Sequence, residues 1–194
     1  NAIDNTFLNE FDSLMKSCNT SLPLLIKGSN GYFCPGIDLL YTLKMSIDEM
    51  RNYIIKFDKM LVSVLSYPSA TFTYINGYAI AGGFALALAS DYRIASNGDY
   101  YVGYNRDRIG IDLPPVARLI YNRYSDTKQK ISGLYKIKEF MSTSIIDYKN
   151  SKEILEIDEM KTKNKRFKPF VSIDTAQELN ERQEFINSWF RDDV

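Results

Sequence analysis

Two glycine-containing segments, residues 32–39 and 76–86, are placed where the backbone itself could take part in chemistry. The first follows a compact apolar run, and the second carries the pair Gly82-Gly83 ahead of an alanine- and leucine-rich stretch. Glycine lets N–H groups approach a ligand closely, and a helix N-terminus adds unpaired donors and a positive dipole end. One N–H from each segment, directed at one point, would form an oxyanion hole. Thioester chemistry needs such a site, because charge grows on the carbonyl oxygen as an enolate forms.

Taken singly, each segment is better explained as an ordinary turn than as a site. Neither is a phosphate-binding loop, since no Gly-Lys-Ser/Thr sequence follows the glycines. The chemical interpretation therefore depends on both segments acting together.

The elements that must position these segments follow from the spacing of apolar residues. Helices are predicted over residues 3–17, about 50–67, 82–90, from 114 onward, and over 127–147 with a break near Ser142. A buried strand is predicted over the apolar residues 22–27, and further strands over 70–75, 91–95 and 100–104. A turn-rich loop is predicted over 28–36 and a last helix after Asp174. Strands that alternate with helices indicate an α/β fold.

The composition excludes several mechanisms and partners. The 194 residues contain no histidine, which rules out Ser-His and Cys-His catalysis and histidine-based metal sites. Two cysteines form neither a disulfide framework nor a metal pair, so no metal and a reducing compartment are expected. Lys+Arg and Asp+Glu both number 24, which predicts no nucleic-acid partner. No apolar run reaches the ~20 residues of a membrane span, and no signal peptide or peroxisomal tail is recognisable, so a cytoplasmic location is expected.

Considered together, the two segments resemble the enoyl-CoA hydratase/isomerase family of the crotonase superfamily. The similarity runs from about Phe7 to Asp147 and rests on residues 33–38, 76–83, the helix that follows, 91–95, 103–105 and 109–111. Residues 109–115 are more similar to the Δ3,Δ2-enoyl-CoA isomerase branch than to the hydratases.

This resemblance implies a crotonase-like α/β spiral of repeated β-β-α units, apparently shortened at the N-terminus. Residues 1–148 would form the acyl-thioester-binding core and 149–194 a helical extension of it. A homotrimer or hexamer is implied, with no cofactor apart from the coenzyme A of the substrate. An acyl carrier protein is a second possible carrier of the acyl group.

The resemblance also implies roles for particular residues. The backbone N–H groups of Ile37 and Gly82 would form the oxyanion hole, and Asp38 would brace its loop. The positions expected to line the substrate site are Cys34, Pro35, Gly36, Asp38, Tyr78, Gly83, Tyr104 and Arg106.

Two departures from the family put the reaction in question. Ala85 and Arg106 stand where hydratases carry their two glutamates, so the usual hydratase mechanism is not expected. Asp112 is the preferred substitute proton carrier and Asp107 the second, because Asp112 shares the strand parity of Arg106. Cys34 as a nucleophile is a weaker alternative, since no histidine supports its thiolate.

Three functions remain open from the sequence. The first is a Δ3,Δ2-enoyl-CoA isomerase of fatty acid metabolism, with a carboxylate near the acyl C2 and C4. The second is decarboxylation or hydrolysis of an acyl-CoA or acyl-carrier thioester, with Arg106 holding a substrate carboxylate. The third is a non-catalytic binding or assembly subunit.

Overall fold

The computed structural model describes residues 1–105, 110–125, 131–147 and 149. The helices of these residues are α1 (Asn5–Ser17), α2 (Leu39–Thr42), α3 (Ile47–Leu65), α4 (Gly82–Ala89), α5 (Pro115–Ser125) and α6 (Ile137–Phe140). The strands are β1 (Leu24–Lys27), β2 (Tyr32–Cys34), β3 (Thr71–Ile75), β4 (Tyr78–Ile80), β5 (Tyr92–Ala95), β6 (Tyr101–Gly103) and β7 (Leu134–Lys136).

The strands form two sheets that the chain visits alternately. The first sheet has the order β1-β3-β5, and the second has the order β2-β4-β6-β7. All neighbours pair in parallel except β6 and β7. Each of the first three passes of the chain adds one strand to each sheet and then enters a helix, and β7 is added to the second sheet alone. The α/β spiral of β-β-α units expected from the resemblance is therefore confirmed.

The helices around the site begin where the sequence supplies caps. The side chain of Asp4 accepts the N–H of Phe7 at the start of α1. Ser46 and Glu49 form a capping box at the start of α3, with both reciprocal hydrogen bonds present. Such side chains satisfy N–H groups that have no partner within the helix. The amphipathic α3 then packs against α4, all eight residues of which are buried.

A buried arginine ties the first sheet to the end of the described core. Arg93 on β5 is fully buried and lies 3.0 Å from the carboxylate of Asp147. Its guanidinium also donates to the carbonyl oxygens of Ser90, Asp91 and Ile145. A buried charge is tolerated only with such complete pairing, so this network holds the segment around Ile145 against the sheet.

Three of the predicted elements differ from the structure. The helix predicted over 127–147 is wrong at Leu134–Lys136, which forms β7 and pairs with β6. Strand β2 lies inside the predicted loop, and β4 was not predicted. These strands have three residues each, too few to show a period of two, so pairing in the sheet decides them. Strand β1 is half-exposed at a sheet edge, whereas the sequence predicted a buried strand.

Several predictions fall outside the described residues. Arg106, Asp107, the stretch 126–130 and the helix after Asp174 are among them. The division into 1–148 and 149–194 also stays a prediction, because residue 149 is the single described residue of the extension. No helix among the described ranges is long and apolar enough to cross a membrane.

Candidate active site

The two glycine segments lie against each other in the structure. A methyl group built on Gly83 would lie 2.0 Å from the carbonyl oxygen of Cys34, and one on Gly36 would lie 3.1 Å from the nitrogen of Gly82. Gly36 also has a φ of +97°, a conformation that side chains disfavour. The backbones therefore approach as closely as glycine permits, and Gly36 lies next to the nitrogen of Gly82.

The N-terminus of α4 presents uncapped donors toward this junction. Its N-cap residue, Ala81, has no capping side-chain hydrogen bond and adopts φ +48°, a strained conformation for alanine. The N–H of Ala81 donates to the carbonyl of Gly103 on the neighbouring strand at 2.9 Å. Gly82 follows as the first helical residue, and no acceptor for its N–H occurs among the described residues. The positive end of the helix dipole lies at the same point.

The first segment is held by a two-residue bridge to the start of the chain. The N–H of Ile3 donates to the carbonyl of Gly36 at 2.8 Å, and the N–H of Asp38 donates to the carbonyl of Ile3 at 3.0 Å. Successive N–H groups of an extended segment point to opposite sides. The N–H of Ile37 therefore points away from Ile3, and it too has no acceptor within the described part of the chain.

The side chains of Asp38 and Tyr53 hold the first glycine segment in place. The carboxylate of Asp38 accepts the N–H of Tyr41 at 3.0 Å and thereby caps α2. The hydroxyl of Tyr53, from α3, donates to the carbonyl of Ile3 at 2.7 Å. Sequence reasoning missed Tyr53, although a tyrosine on the apolar side of a helix commonly has a partner for its hydroxyl.

Cys34 is buried beneath the junction. Its side chain is 2% exposed, and desolvation by burial raises the pKa of its thiol to about 11. The thiol is therefore protonated at neutral pH, and the protonated form is a poor nucleophile. This environment speaks against covalent catalysis by Cys34.

The two positions that carry glutamates in hydratases hold Ala85 and Arg106 in this sequence, so neither supplies a carboxylate. Ala85 lies on α4 one turn beyond Gly82 and is fully buried. Asp112 precedes α5, and its carboxylate lies 3.2 Å from the guanidinium of Arg118. Its other oxygen accepts the N–H of Leu113 at 3.3 Å. Asp112 is thus an ion-paired, partly exposed carboxylate on the stretch that leads from Gly110 into α5.

The two tyrosines predicted for the site lie in different surroundings. Tyr104 is fully buried, and its ring packs edge-on against Phe84 and Tyr121, with centroids 5.3 Å away in both cases. Its hydroxyl has no hydrogen-bond partner among the described residues, and burial raises its pKa. Tyr78 is half-buried and stacks on Tyr32 in the second sheet.

A cavity of about 370 Å³ opens beside the first loop. Its walls are formed by Asn1, Ala2, Ser29, Asn30, Tyr32 and Pro35. Because Pro35 lies two residues before Ile37, this cavity adjoins the segment that carries one of the oxyanion donors. No cluster of metal-ligating side chains occurs among the described residues.

Known proteins share parts of this sequence. The sequence model of the enoyl-CoA hydratase/isomerase family matches residues 1–124. An enoyl-CoA isomerase/hydratase of Mycosarcoma maydis is 30% identical over 120 residues, which cover 62% of this chain and 41% of that protein. The mitochondrial methylglutaconyl-CoA hydratase of Homo sapiens is 37% identical over 67 residues, 34% of this chain and 20% of that protein. The chain thus spans well under half the length of these relatives.

Solved structures show the same fold. The crystal structure of an enoyl-CoA hydratase from Bacillus halodurans matches with a TM-score of 0.76 and 19% identity. The match covers 98% of this chain and 87% of that one. At this identity the likeness bears on architecture alone.

Proposed function

Because this chain belongs to the enoyl-CoA hydratase/isomerase family, we propose that it binds an acyl-CoA thioester and shifts a double bond from the Δ3 to the Δ2 position. The observation that carries the proposal is the pair of backbone N–H groups, of Ile37 and Gly82, on two loops locked together at Gly83 and Cys34. Both donors lack an acceptor among the described residues. A thioester carbonyl placed between them would accept both hydrogen bonds.

The chemistry follows from what this pair stabilises. Removal of a proton from C2 of a 3-enoyl thioester gives a dienolate whose negative charge rests largely on the thioester oxygen. Preorganised N–H donors lower the energy of such an oxyanion, and loss of one donor typically costs ~10²–10³ in rate. Return of the proton to C4 completes the shift to the conjugated 2-enoyl thioester. The reaction needs no cofactor beyond the coenzyme A that the substrate carries.

Asp112 is the group we assign to proton transfer, with Asp107 as the second candidate. Asp112 is a carboxylate on the segment between Gly110 and α5, and it is partly accessible. Its ion pair with Arg118 fixes the position of the carboxylate, and position is the first requirement of a general base. Ala85, in the position of the first family glutamate, favours a single-carboxylate isomerisation over hydration, which uses two.

The test is conversion of 3-enoyl-CoA to 2-enoyl-CoA by the wild type and by Asp112→Asn. We expect turnover by the wild type and a loss of ~10²–10⁴-fold in the variant, the usual value of a general base. Asp99→Asn is the matched control, because Asp99 also forms an exposed ion pair, with Lys136 at 2.9 Å. Arg118→Met distinguishes a structural role of the ion pair from proton transfer by Asp112, since it removes the guanidinium and keeps the carboxylate.

The outcomes distinguish the alternatives. Equal losses in Asp112→Asn and Arg118→Met would make the ion pair structural and leave Asp107 as the proton carrier. An inactive wild type that still binds acyl-CoA would support the alternative of a non-catalytic binding or assembly subunit. Release of free coenzyme A or carbon dioxide instead would support the hydrolase or decarboxylase alternative.

The proposal also includes the oligomeric state of the protein, the carrier of the acyl group and the cellular location. A homotrimer or hexamer is supported by exposed apolar side chains such as Leu40 and Leu43, which are 78% and 67% exposed. Light scattering coupled to gel filtration tests the oligomeric state, and a monomer at micromolar concentration would oppose this part of the proposal.

Recognition of an acyl carrier protein is a further possibility for the same thioester. The cytoplasmic location stays a prediction, because the human hydratase relative is named as mitochondrial.

A further inference from the structure

A buried carboxylate on α3 lies against the start of α5. The side chain of Asp58 is 1% exposed, and its Oδ1 accepts the N–H of Val116 at 3.3 Å. Val116 is the second residue of α5. The two residues are 58 positions apart in the sequence, so the hydrogen bond forms only because α3 packs against α5. Asp58 therefore connects α3 to the first turn of α5.

The local sequence explains why this turn takes an acceptor from another helix. The residue before α5 is Pro114, and the first helical residue is Pro115. Proline has neither a backbone N–H nor a side-chain oxygen, so Val116 carries the first N–H of the helix and no local side chain caps it from the usual position. A carboxylate at this point also meets the positive end of the helix dipole. Asp58 thus serves α5 as Ser46 serves α3.

The same turn of α5 holds Asp112, the residue assigned to proton transfer. Asp112 stands three residues before α5, and its carboxylate lies 3.2 Å from the guanidinium of Arg118 in the first turn of the helix. Leu113, the next residue after Asp112, is 6% exposed and belongs to the core. A displacement of this turn would therefore move both the carboxylate and its ion-pair partner.

The residue beside Asp58 contacts the other half of the site. Phe57 is fully buried, and a methyl group built on Gly82 would lie 3.1 Å from its Cε2 atom. One turn of α3 thus contacts the start of α4, which carries the Gly82 N–H, and the start of α5, to which Asp112 is joined. A helical turn in contact with both starts is a means of keeping their spacing constant.

We propose that Asp58 is a positioning residue, which holds the start of α5 so that the Asp112 carboxylate keeps its distance from the Gly82 N–H. This inference rests on the proposed function, because it requires Asp112 to carry the proton. Asp58 is itself buried away from solvent, so it acts through α5 and not on the substrate. Small displacements matter in such a site, since a misplacement of about 1 Å can cost ~100-fold in rate.

The experiment is steady-state kinetics of the 194-residue protein with 3-enoyl-CoA. Asp58→Ala removes the acceptor and is expected to lower kcat roughly 10- to 100-fold, with KM unchanged because the backbone donors stay in place. Asp58→Asn keeps an oxygen that can accept the Val116 N–H, and asparagine caps helices about as well as aspartate. It should therefore retain most of the wild-type kcat.

Asp91→Ala is the matched control for loss of a buried carboxylate. Asp91 is 3% exposed and accepts the N–H of Thr71 at 2.8 Å, but it lies just before β5 in the first sheet. We expect this variant to lose stability and to keep its kcat. An equal loss of kcat in Asp58→Ala and Asp91→Ala would overturn the inference, because general damage to the core would then explain both.

The same substitution in an Asp112→Asn background separates positioning from a merely structural role. If Asp58 acts through Asp112, Asp58→Ala should cause no further loss of kcat once that carboxylate is gone. The inference is overturned if the loss is the same in both backgrounds, if KM alone changes, or if Asp58→Asn is as slow as Asp58→Ala.

Hydrogen exchange gives a readout that does not depend on turnover. The amides of residues 110–118 should exchange faster in Asp58→Ala than in the wild type, and unchanged exchange there would overturn the inference. An inactive wild type, or full activity of Asp112→Asn, would overturn the proposed assignment of Asp112 and this inference with it. Failure of this inference alone would leave the difference between the wild type and Asp112→Asn intact.

Discussion

The hydroxyl of Tyr53 donates a 2.7 Å hydrogen bond to the carbonyl oxygen of Ile3, which also accepts the N–H of Asp38 at 3.0 Å. One carbonyl thereby links α3, the start of the chain and the loop that carries the Ile37 N–H. Burial raises the pKa of Tyr53, so its hydroxyl is protonated and donates throughout the range in which the protein is studied. The loop that carries the Ile37 N–H is thus held in place by a side chain from α3.

Tyr53→Phe is expected to lower activity more than stability. The Ile3 carbonyl keeps one partner, so the cost in unfolding free energy should be about 0.5–1.5 kcal/mol. The loop gains freedom, and kcat/KM should fall about tenfold, within the ~100-fold that a 1 Å misplacement causes. Urea unfolding and steady-state kinetics measure the two quantities.

Tyr67→Phe provides the comparison for Tyr53. Its hydroxyl also donates to backbone carbonyls, those of Asn19 and Leu22 at 3.2 and 3.3 Å, but at the far end of α3. The Tyr67→Phe variant should lose a similar amount of unfolding free energy and keep its activity. Equal kinetic losses in both variants would contradict a positioning role for Tyr53.

Gly83→Ala should disrupt the junction of the two loops. The added methyl would lie 2.0 Å from the Cys34 carbonyl oxygen, so one backbone must move. Such overpacking costs about 1–3 kcal/mol or more, and activity should fall below detection. At Gly133 the nearest atom would be the Tyr135 hydroxyl at 3.4 Å, an ordinary contact, so Gly133→Ala should change neither quantity. Thermal unfolding of both variants measures the expected difference in stability.

Cys34 should behave as a buried thiol and not as a nucleophile. Its pKa is about 11 in the folded protein against 9.0 for the free group, so the folded state favours the protonated form. The stability linked to this group is present below pH 9 and is lost as the pH rises through about 11. Cys34→Ala should therefore show a smaller alkaline loss of stability and near wild-type activity at pH 7.

Labelling separates the two cysteines in the same protein. Iodoacetamide at pH 8 should modify the partly exposed Cys18 and leave Cys34 unmodified until the protein unfolds. Rapid modification of Cys34 in the folded protein, with loss of activity, would instead revive its role as a nucleophile.

Arg93→Met should be among the most destabilising substitutions in the described core. It removes the guanidinium that pairs with the buried carboxylate of Asp147, and breaking a buried pair typically costs about 3–5 kcal/mol. Lys16→Met breaks an exposed pair with Asp12, with side chains 75% and 61% exposed, and should cost less than about 1 kcal/mol. Chemical denaturation compares the two, and similar midpoints would contradict the argument.

The sequence by itself determined the features that depend on local residue types. The apolar faces of α1 and α3 and the alternation of strands with helices predict an α/β fold, and the glycine pair at 82–83 marks the start of α4. The absence of histidine excluded whole classes of mechanism. The resemblance to the enoyl-CoA hydratase/isomerase family followed from the same local motifs, and the match over residues 1–124 agrees with it.

Only the tertiary structure decided which groups meet. The three-residue strands β2, β4 and β7 are stable because neighbouring strands pair with them, so no local pattern predicts them. The hydrogen bond from Tyr53 to Ile3 joins residues 50 positions apart, and the stacking of Tyr32 on Tyr78 depends on the register of separate strands. Contacts of this kind depend on how distant segments pack, which residue types and local spacing do not specify.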